Sequence, residues 1–262
     1  MRTTANKDGG GAAGKAAGGA GSTGVSRSKA AGGAANTSTG DSGSPSGAEP
    51  GAAGESETVA TPAGDARVTW HRAPGARVVL ALGHGAGGGI EARDLRALAA
   101  ALPPRGVSVA LVEQPWRVAG KKVAPAPGTL DTGWIAVWPV LAGPGLPVIA
   151  GGRSAGARVA CRTGRELGAS AVLALSFPLH PPGKPEKSRA GELLDAGLPT
   201  LVVQGGRDPF GRPDEFPDGT DIVEVPEADH GFAVPKKAEL TQEAAVSVIT
   251  DAVTRWLDRS GY

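Results

Sequence analysis

Short runs of Val, Leu, Ile and Ala recur through the later part of the chain, each bounded by Gly or Pro: Arg77–Leu82, Val107–Val112, Pro147–Ala150, Ala171–Ser176, Thr200–Gln204 and Asp221–Val225. They are apolar at nearly every position instead of alternating, the pattern of strands covered on both faces. Arg67–Trp70 reads as an added edge strand. Between the runs lie segments of helical spacing, Ala92–Leu102, Leu130–Leu141, Ala155–Leu167 and Ala238–Leu257. In the last of these, Val246, Ile249, Val253, Trp256 and Leu257 fall on one helix face. Strands alternating with helices predict an α/β protein: a mainly parallel sheet, right-handed crossovers and helices on both faces. Ligands on such sheets bind at the carboxyl ends of the strands. Chemistry is therefore expected in the loops that begin at Gly83, Glu113, Gly151, Phe177, Gly205 and Pro226.

Composition divides the chain. Residues 1–64 are dominated by Gly, Ala, Ser and Thr, with Val25 and Val59 the only branched aliphatics, too little apolar surface to offset the entropy of ordering. They read as a disordered tail, and residues 65–262, which hold all five Trp, as one domain. Lys plus Arg number 27 against 26 Asp plus Glu, so no field of one sign invites nucleic acid or an anionic membrane. Without a signal-like or membrane-spanning apolar run, a soluble cytoplasmic protein is expected. Cys161 is the single cysteine, which excludes an internal disulfide and a multi-thiolate zinc site. It reads as a small core residue. No motif calls for a metal or a cofactor, and the expected partner is a small-molecule substrate.

The strand Pro147–Ala150 runs through Gly151, Gly152, Arg153, Ser154, Ala155 and Gly156 into a helix, and so contains G-x-S-x-G. Small residues flank such a serine because a sharp strand-to-helix turn holds it in a strained conformation. A carboxylate and a histidine must follow it in that order. Asp208 follows the strand Thr200–Gln204, and His230 follows the strand Asp221–Val225. Of the other histidines, His71 and His84 precede the serine and His180 precedes the acid, while Asp214 and Asp218 lie further from the strand end than Asp208. The expected roles are Ser154 as nucleophile, His230 as general base and Asp208 as the group that orients it. The glycine-rich turn Gly83–Gly89 resembles the loop that supplies an oxyanion donor in lipases and esterases. The expected donors are the N–H groups of Ala86, with Gly87 as its neighbour, and of Ala155; His84 reads as a loop brace.

The same turn also satisfies G-x-G-x-x-G at Gly83, Gly85 and Gly88, with Glu113 as a ribose acceptor, which would make an oxidoreductase. That motif places its third glycine inside the helix, where Gly87, Gly88 and Gly89 in succession would cost about 1 kcal/mol each. Glu113, Trp116 and Arg153 stand at strand ends and are expected to contact substrate, with a Glu113–Arg153 ion pair as one arrangement. The loops 114–129 and 177–198 are rich in Pro, Gly and Lys and poor in large apolar side chains, which favours small or polar acyl substrates over a deep acyl channel.

The stretches GHGAGG (83–88), EQPWRVAGKK (113–122), GGRSAG (151–156), VVQGGRDPFG (202–211) and ADHGF (228–232) resemble the dienelactone-hydrolase-like α/β hydrolases. Within these the chain is most similar to the group of testis-expressed protein thirty and the hydrolase-like subunit of the NSL histone-acetyltransferase complex. The resemblance implies an α/β-hydrolase fold without a large cap domain and a triad of Ser154, Asp208 and His230. The chain departs from dienelactone hydrolases, whose nucleophile is cysteine. The function so implied is a serine hydrolase acting on small or polar carboxylic esters or thioesters, and the chromatin-linked relative raises a non-catalytic scaffold as the alternative.

Overall fold

The computed structural model describes residues 54–262. Eight strands form one sheet in the order β1-β2-β4-β3-β5-β6-β7-β8. They are β1 (Glu55–Thr61), β2 (Gly64–His71), β3 (Val78–Gly83), β4 (Val107–Glu113), β5 (Val148–Arg153), β6 (Ala171–Leu175), β7 (Thr200–Gly205) and β8 (Asp221–Val225). β2 runs antiparallel to both β1 and β4, and every other pairing is parallel. The helices are α1 (Arg93–Ala101), α2 (Pro115–Val118), α3 (Pro127–Ala142), α4 (Ala155–Thr163), α5 (Ala190–Leu194) and α6 (Gln242–Arg259).

The continuous apolar runs follow from this layering. On β3, Val79 and Ala81 enter the core beneath α3 and α4, while Val78, Leu80 and Leu82 enter the core beneath α1 and α6. Successive side chains of a strand point to opposite faces, so a sheet covered on both sides needs apolar residues at every position. The first core contains Trp134, Trp138 and Val159, the second Leu95, Leu98, Ile249 and Val253. The buried face of α6 is Ala245, Ile249, Ala252, Val253, Trp256 and Leu257. Val246, expected on that face, is only half-buried. Thr241 caps the helix by accepting the Ala244 N–H. Cys161 is buried on α4, and burial pushes its thiol up to about 12, which leaves it an inert core residue.

Two boundaries differ from the sequence reading. Residues 55–61, assigned there to a tail reaching Gly64, form β1, and the edge strand expected at Arg67–Trp70 is therefore an inner one. β1 is exposed along most of its length and carries one aliphatic of note, Val59, so its apolar signal is weak. Backbone pairing from Glu55↔Trp70 to Thr61↔Gly64 defines it, with Glu57 accepting the Trp70 indole N–H at 2.6 Å. The remainder of the expected tail, 1–53, lies outside the described residues. No inserted cap domain interrupts the sheet among the described residues, and no helix there is long and apolar enough to cross a membrane.

Deleting the chain through Ala63 removes β1 and leaves the Trp70 indole unpartnered. A hydrogen bond of this kind contributes about 1 kcal/mol and uncovering the strand adds to it. With each kcal/mol worth roughly 2–4 °C at this size, a chain beginning at Gly64 is expected to melt about 5 °C below one beginning at Gly54, as read by thermal denaturation of both.

Candidate active site

The ends of β3 and β5 are adjacent and in register, with Gly83 opposite Gly152. At the end of β5 the chain turns sharply into α4, and Ser154 occupies that turn with φ 54° and ψ −110°. A non-glycine residue held there costs on the order of 1–3 kcal/mol, a cost met only where the surroundings over-determine the conformation. The surroundings do so. A Cβ on Gly156 would lie 2.6 Å from the carbonyl carbon and oxygen of Gly83, and one on Gly152 would lie 2.5 Å from the Gly83 oxygen. The two motif glycines thus let the turn press against the end of β3, and the Ser154 N–H donates to the Leu175 carbonyl at 2.9 Å from the other side.

Asp208 and His230 arrive from neighbouring loops. Gly205 ends β7 so close to the following loop that a Cβ there would lie 2.5 Å from the Ala228 oxygen. The Arg207 N–H donates to that same carbonyl at 2.9 Å. With the loops so joined, Ser154 Oγ–H donates to His230 Nε2 at 2.9 Å, and His230 Nδ1–H donates to Asp208 Oδ2 at 2.7 Å. Asp208 is buried and also accepts from Gln204 Nε2 at 2.9 Å and from the Phe210 N–H at 2.8 Å. Three donors converge on its two oxygens. The Phe210 ring lies 4.2 Å from the His230 ring, covering one of its faces.

Gln204 and Phe210 did not emerge from the sequence. Gln204 carried a signal, as the one amide in the buried run Thr200–Gly205; it also donates to the carbonyls of Phe177 and Gly211 and so holds the Asp208 loop closed. Nothing in the sequence distinguished Phe210.

The glycine-rich loop after β3 runs beside the serine. A Cβ on Gly85 would sit 3.4 Å from Ser154 Cβ and 3.9 Å from its Oγ, so the strip next to the hydroxyl holds no side chain. Ala86 and Ala155 border one recess there. Helix α1 begins only at Arg93, which leaves Gly83, Gly85 and Gly88 all outside it and removes the geometry of a dinucleotide turn. His84 Nδ1–H donates to the Gly85 carbonyl at 2.9 Å while Nε2 accepts the Gln114 N–H at 3.0 Å, so this buried ring braces the loop as a neutral imidazole.

The expected Glu113–Arg153 ion pair does not form. Glu113 accepts from Arg67 Nη1 at 3.2 Å, because antiparallel pairing sets Arg67 directly opposite it. Arg153 instead faces Asp94 of α1, with Nε 3.6 Å from Oδ2, and donates from Nη2 to the His230 carbonyl at 2.9 Å. It ties the serine turn, α1 and the histidine loop together. Asp94 is fully buried with no hydrogen-bond partner on either carboxylate oxygen, and burial pushes its carboxyl above the usual range. Asp94 was absent from the sequence reading because an acid in the first turn of a helix reads as ordinary dipole complementation. Trp116 is buried in the wall of the recess, its ring 5.5 Å from that of His84.

A mainly parallel sheet covered on both faces, with a strained serine at the end of its fifth strand and an imidazole and a carboxylate in hydrogen-bonded series behind it, defines the class of α/β hydrolases. The chain belongs to that family: residues 75–258 match the family model described as an alpha/beta hydrolase domain. No curated protein matches the chain. Among solved structures it is similar to XC6422 from Xanthomonas campestris, an α/β serine hydrolase without a lid (19% identity, 78% of this chain and 95% of that one, TM-score 0.57). It is also similar to a dienelactone hydrolase from Anabaena variabilis (18% identity, 79% and 97%, TM-score 0.60) and to Est1E from Butyrivibrio proteoclasticus (14%, 78% and 99%, TM-score 0.57). At such identities the likeness is one of fold.

The His84 brace gives a pH test. Burial holds its imidazole below the ordinary histidine value, so in moderate acid the unfolded chain takes up a proton there that the folded chain refuses. The stability due to His84 is full above the ordinary histidine pKa and is lost as pH falls below it, down through the folded-state value. His84→Gln removes the titration. Denaturant unfolding between about pH 7 and pH 5 is expected to show a smaller loss of stability in the variant than in the wild type, and equal slopes would remove the brace from the account.

Proposed function

We propose that this protein is a serine hydrolase of small or polar carboxylic esters or thioesters, working through a Ser154–His230–Asp208 triad and an acyl-enzyme. The hydrogen-bonded series from Ser154 Oγ through His230 to Asp208, at 2.9 and 2.7 Å, carries this reading. Ser154 Oγ attacks the ester carbonyl carbon while its proton passes to His230 Nε2. Asp208 holds the ring in the tautomer that leaves Nε2 free to accept, and stabilises the imidazolium that forms. The oxyanion lies at the Ala86 and Ala155 N–H groups, and the positive end of α4 adds to their effect. The proton on Nε2 then goes to the leaving alcohol or thiol, and water, deprotonated by the same nitrogen, releases the acid.

Of the residues expected to contact substrate, Trp116 retains that role, while Arg153 and Glu113 act through the protein contacts described above. The similarity to the group of testis-expressed protein thirty belongs to the same proposal and rests on the quoted sequence stretches. So does a cytoplasmic location.

The test is hydrolysis of p-nitrophenyl acetate. Ser154→Ala is expected to abolish turnover, since the attacking oxygen is gone. Asp208→Asn, which favours the wrong tautomer, is expected to lower kcat by about 10⁴-fold with the fold intact. Equal rates for wild type and Ser154→Ala would sink the assignment, and an inert but well-folded wild type would favour the scaffold.

A further inference from the structure

His230 stands on the loop between β8 and α6, and the backbone of that loop is strained. Glu227 and Phe232, on either side of His230, have φ of 56° and 52°. A non-glycine residue keeps such a conformation only where its surroundings hold it. Asp229 Oδ1 accepts the N–H groups of Gly231 and Ala233 at 2.7 and 2.9 Å, and Gln242 of α6 donates to the Phe232 carbonyl at 2.8 Å. These contacts fix the loop to itself and to α6, and the Ala228 carbonyl fixes it to the Asp208 loop. Besides the bond between Ser154 and His230, one hydrogen bond among the described residues fixes it to the serine turn: Arg153 Nη2 donates to the carbonyl of His230 itself.

The Arg153 guanidinium is itself held. Its Nη2 packs directly on Gly231, where a Cβ would stand 3.4 Å from it, and its Nε lies 3.6 Å from Asp94 Oδ2. A carboxylate in the first turn of a helix interacts with the helix dipole equally well from the surface. Asp94 is instead wholly buried with neither oxygen hydrogen-bonded, and the cation facing it is Arg153. Burying an ion pair is unfavourable enough that uncharged side chains of similar volume often stabilise a fold as well or better, so stability alone does not account for this one. A guanidinium suits the place because its rigid fork faces two groups at once, Asp94 from Nε and the His230 carbonyl from Nη2, where an ammonium is a single point of charge. Helix α1, which carries Asp94, is fastened to the same support as the histidine loop, since Arg93 donates to Gln242 Oε1.

We propose that Arg153 and Asp94 are positioning residues for the transfer of the serine proton: Asp94 holds the guanidinium, and the guanidinium holds the His230 backbone so that Nε2 stays within reach of Ser154 Oγ. The proposal rests on Ser154 as nucleophile and His230 as base. Transfer to a general base needs a heavy-atom separation of about 2.6–3.2 Å, and the 2.9 Å between Oγ and Nε2 lies within that range. A displacement of about 1 Å lowers a rate on the order of 100-fold. His230 takes the proton of Ser154 in acylation and that of water in deacylation, so misplacing it slows both steps and lowers kcat while KM stays as it was.

The experiment measures kcat and KM separately for p-nitrophenyl acetate, beside thermal denaturation, with wild type, Asp94→Asn, Arg153→Met and the double variant Asp94→Asn/Arg153→Met. Arg153→Met is expected to lower kcat by about 100-fold and Asp94→Asn by about 10-fold, each with KM within about twofold of wild type. Because Asp94 acts through Arg153, the double variant is expected to be no slower than Arg153→Met, whereas independent roles would multiply to about 1000-fold. Should a single variant strand a buried charge and not fold, the double variant buries none and carries the test through its kcat and KM. Folded variants with wild-type kcat overturn the proposal, and so does a loss carried by KM, which would return Arg153 to the substrate. Losses that multiply overturn the part given to Asp94. A double variant that does not fold assigns the pair to stability and overturns the proposal as well. All of these leave Ser154 as nucleophile, while a wild type inert toward every ester overturns the Ser154 reading and this one with it.

Discussion

The contact between the serine turn and the end of β3 is the constraint from which the rest of the site follows. Backbone meets backbone there: Gly152 and Gly156 lie against Gly83 so closely that neither has room for a Cβ. That contact forces Ser154 into the left-handed region, lifts its hydroxyl above the carboxyl end of the sheet and turns the start of α4 toward the same point. It also brings the loop after β3 alongside the hydroxyl, since the strand that buttresses the turn is the one that continues into His84, Gly85 and Ala86. One close approach thus arranges Ser154, the loop bearing Ala86 and the start of α4 together. A side chain at either glycine would push all three apart.

A second close approach, at Gly205, does for Asp208 and His230 what the first does for Ser154. Because β7 ends hard against the backbone of Ala228 and Asp229, the loops bearing Asp208 and His230 form a single layer. Gln204 closes that layer from below and Phe210 covers it from the side. Arg153 then links the two assemblies, reaching from its place beside Ser154 to the His230 carbonyl. Its charge is offset by Asp94, a carboxylate with no hydrogen-bond partner in the interior. Such a group is retained at a cost in desolvation, and its place between α1 and the serine turn accounts for that cost through the positioning of Arg153.

Much of this was legible in the sequence because it rests on local rules. Continuous apolar runs marked the strands of a doubly covered sheet, and the order of serine, acid and histidine selected Ser154, Asp208 and His230 from among several candidates. The residues that escaped are those fixed by contacts distant in sequence. β1 is an exposed edge strand defined by its pairing with β2, so its apolar pattern says little. Arg153 and Glu113 both read as pocket charges, yet their partners, Asp94 and Arg67, come from elements brought near only by the fold. Phe210 acquires its role from lying on His230, a relation that no spacing encodes.

The central claim is that Ser154 is activated by His230 and faces an oxyanion pocket, and covalent labelling with a fluorophosphonate probe followed by peptide mapping tests both halves together. The account predicts phosphonylation of Ser154 alone among the serines of the folded protein, and loss of the label in His230→Ala. A folded wild type that takes no label, or that is labelled equally well with His230 replaced, would contradict it.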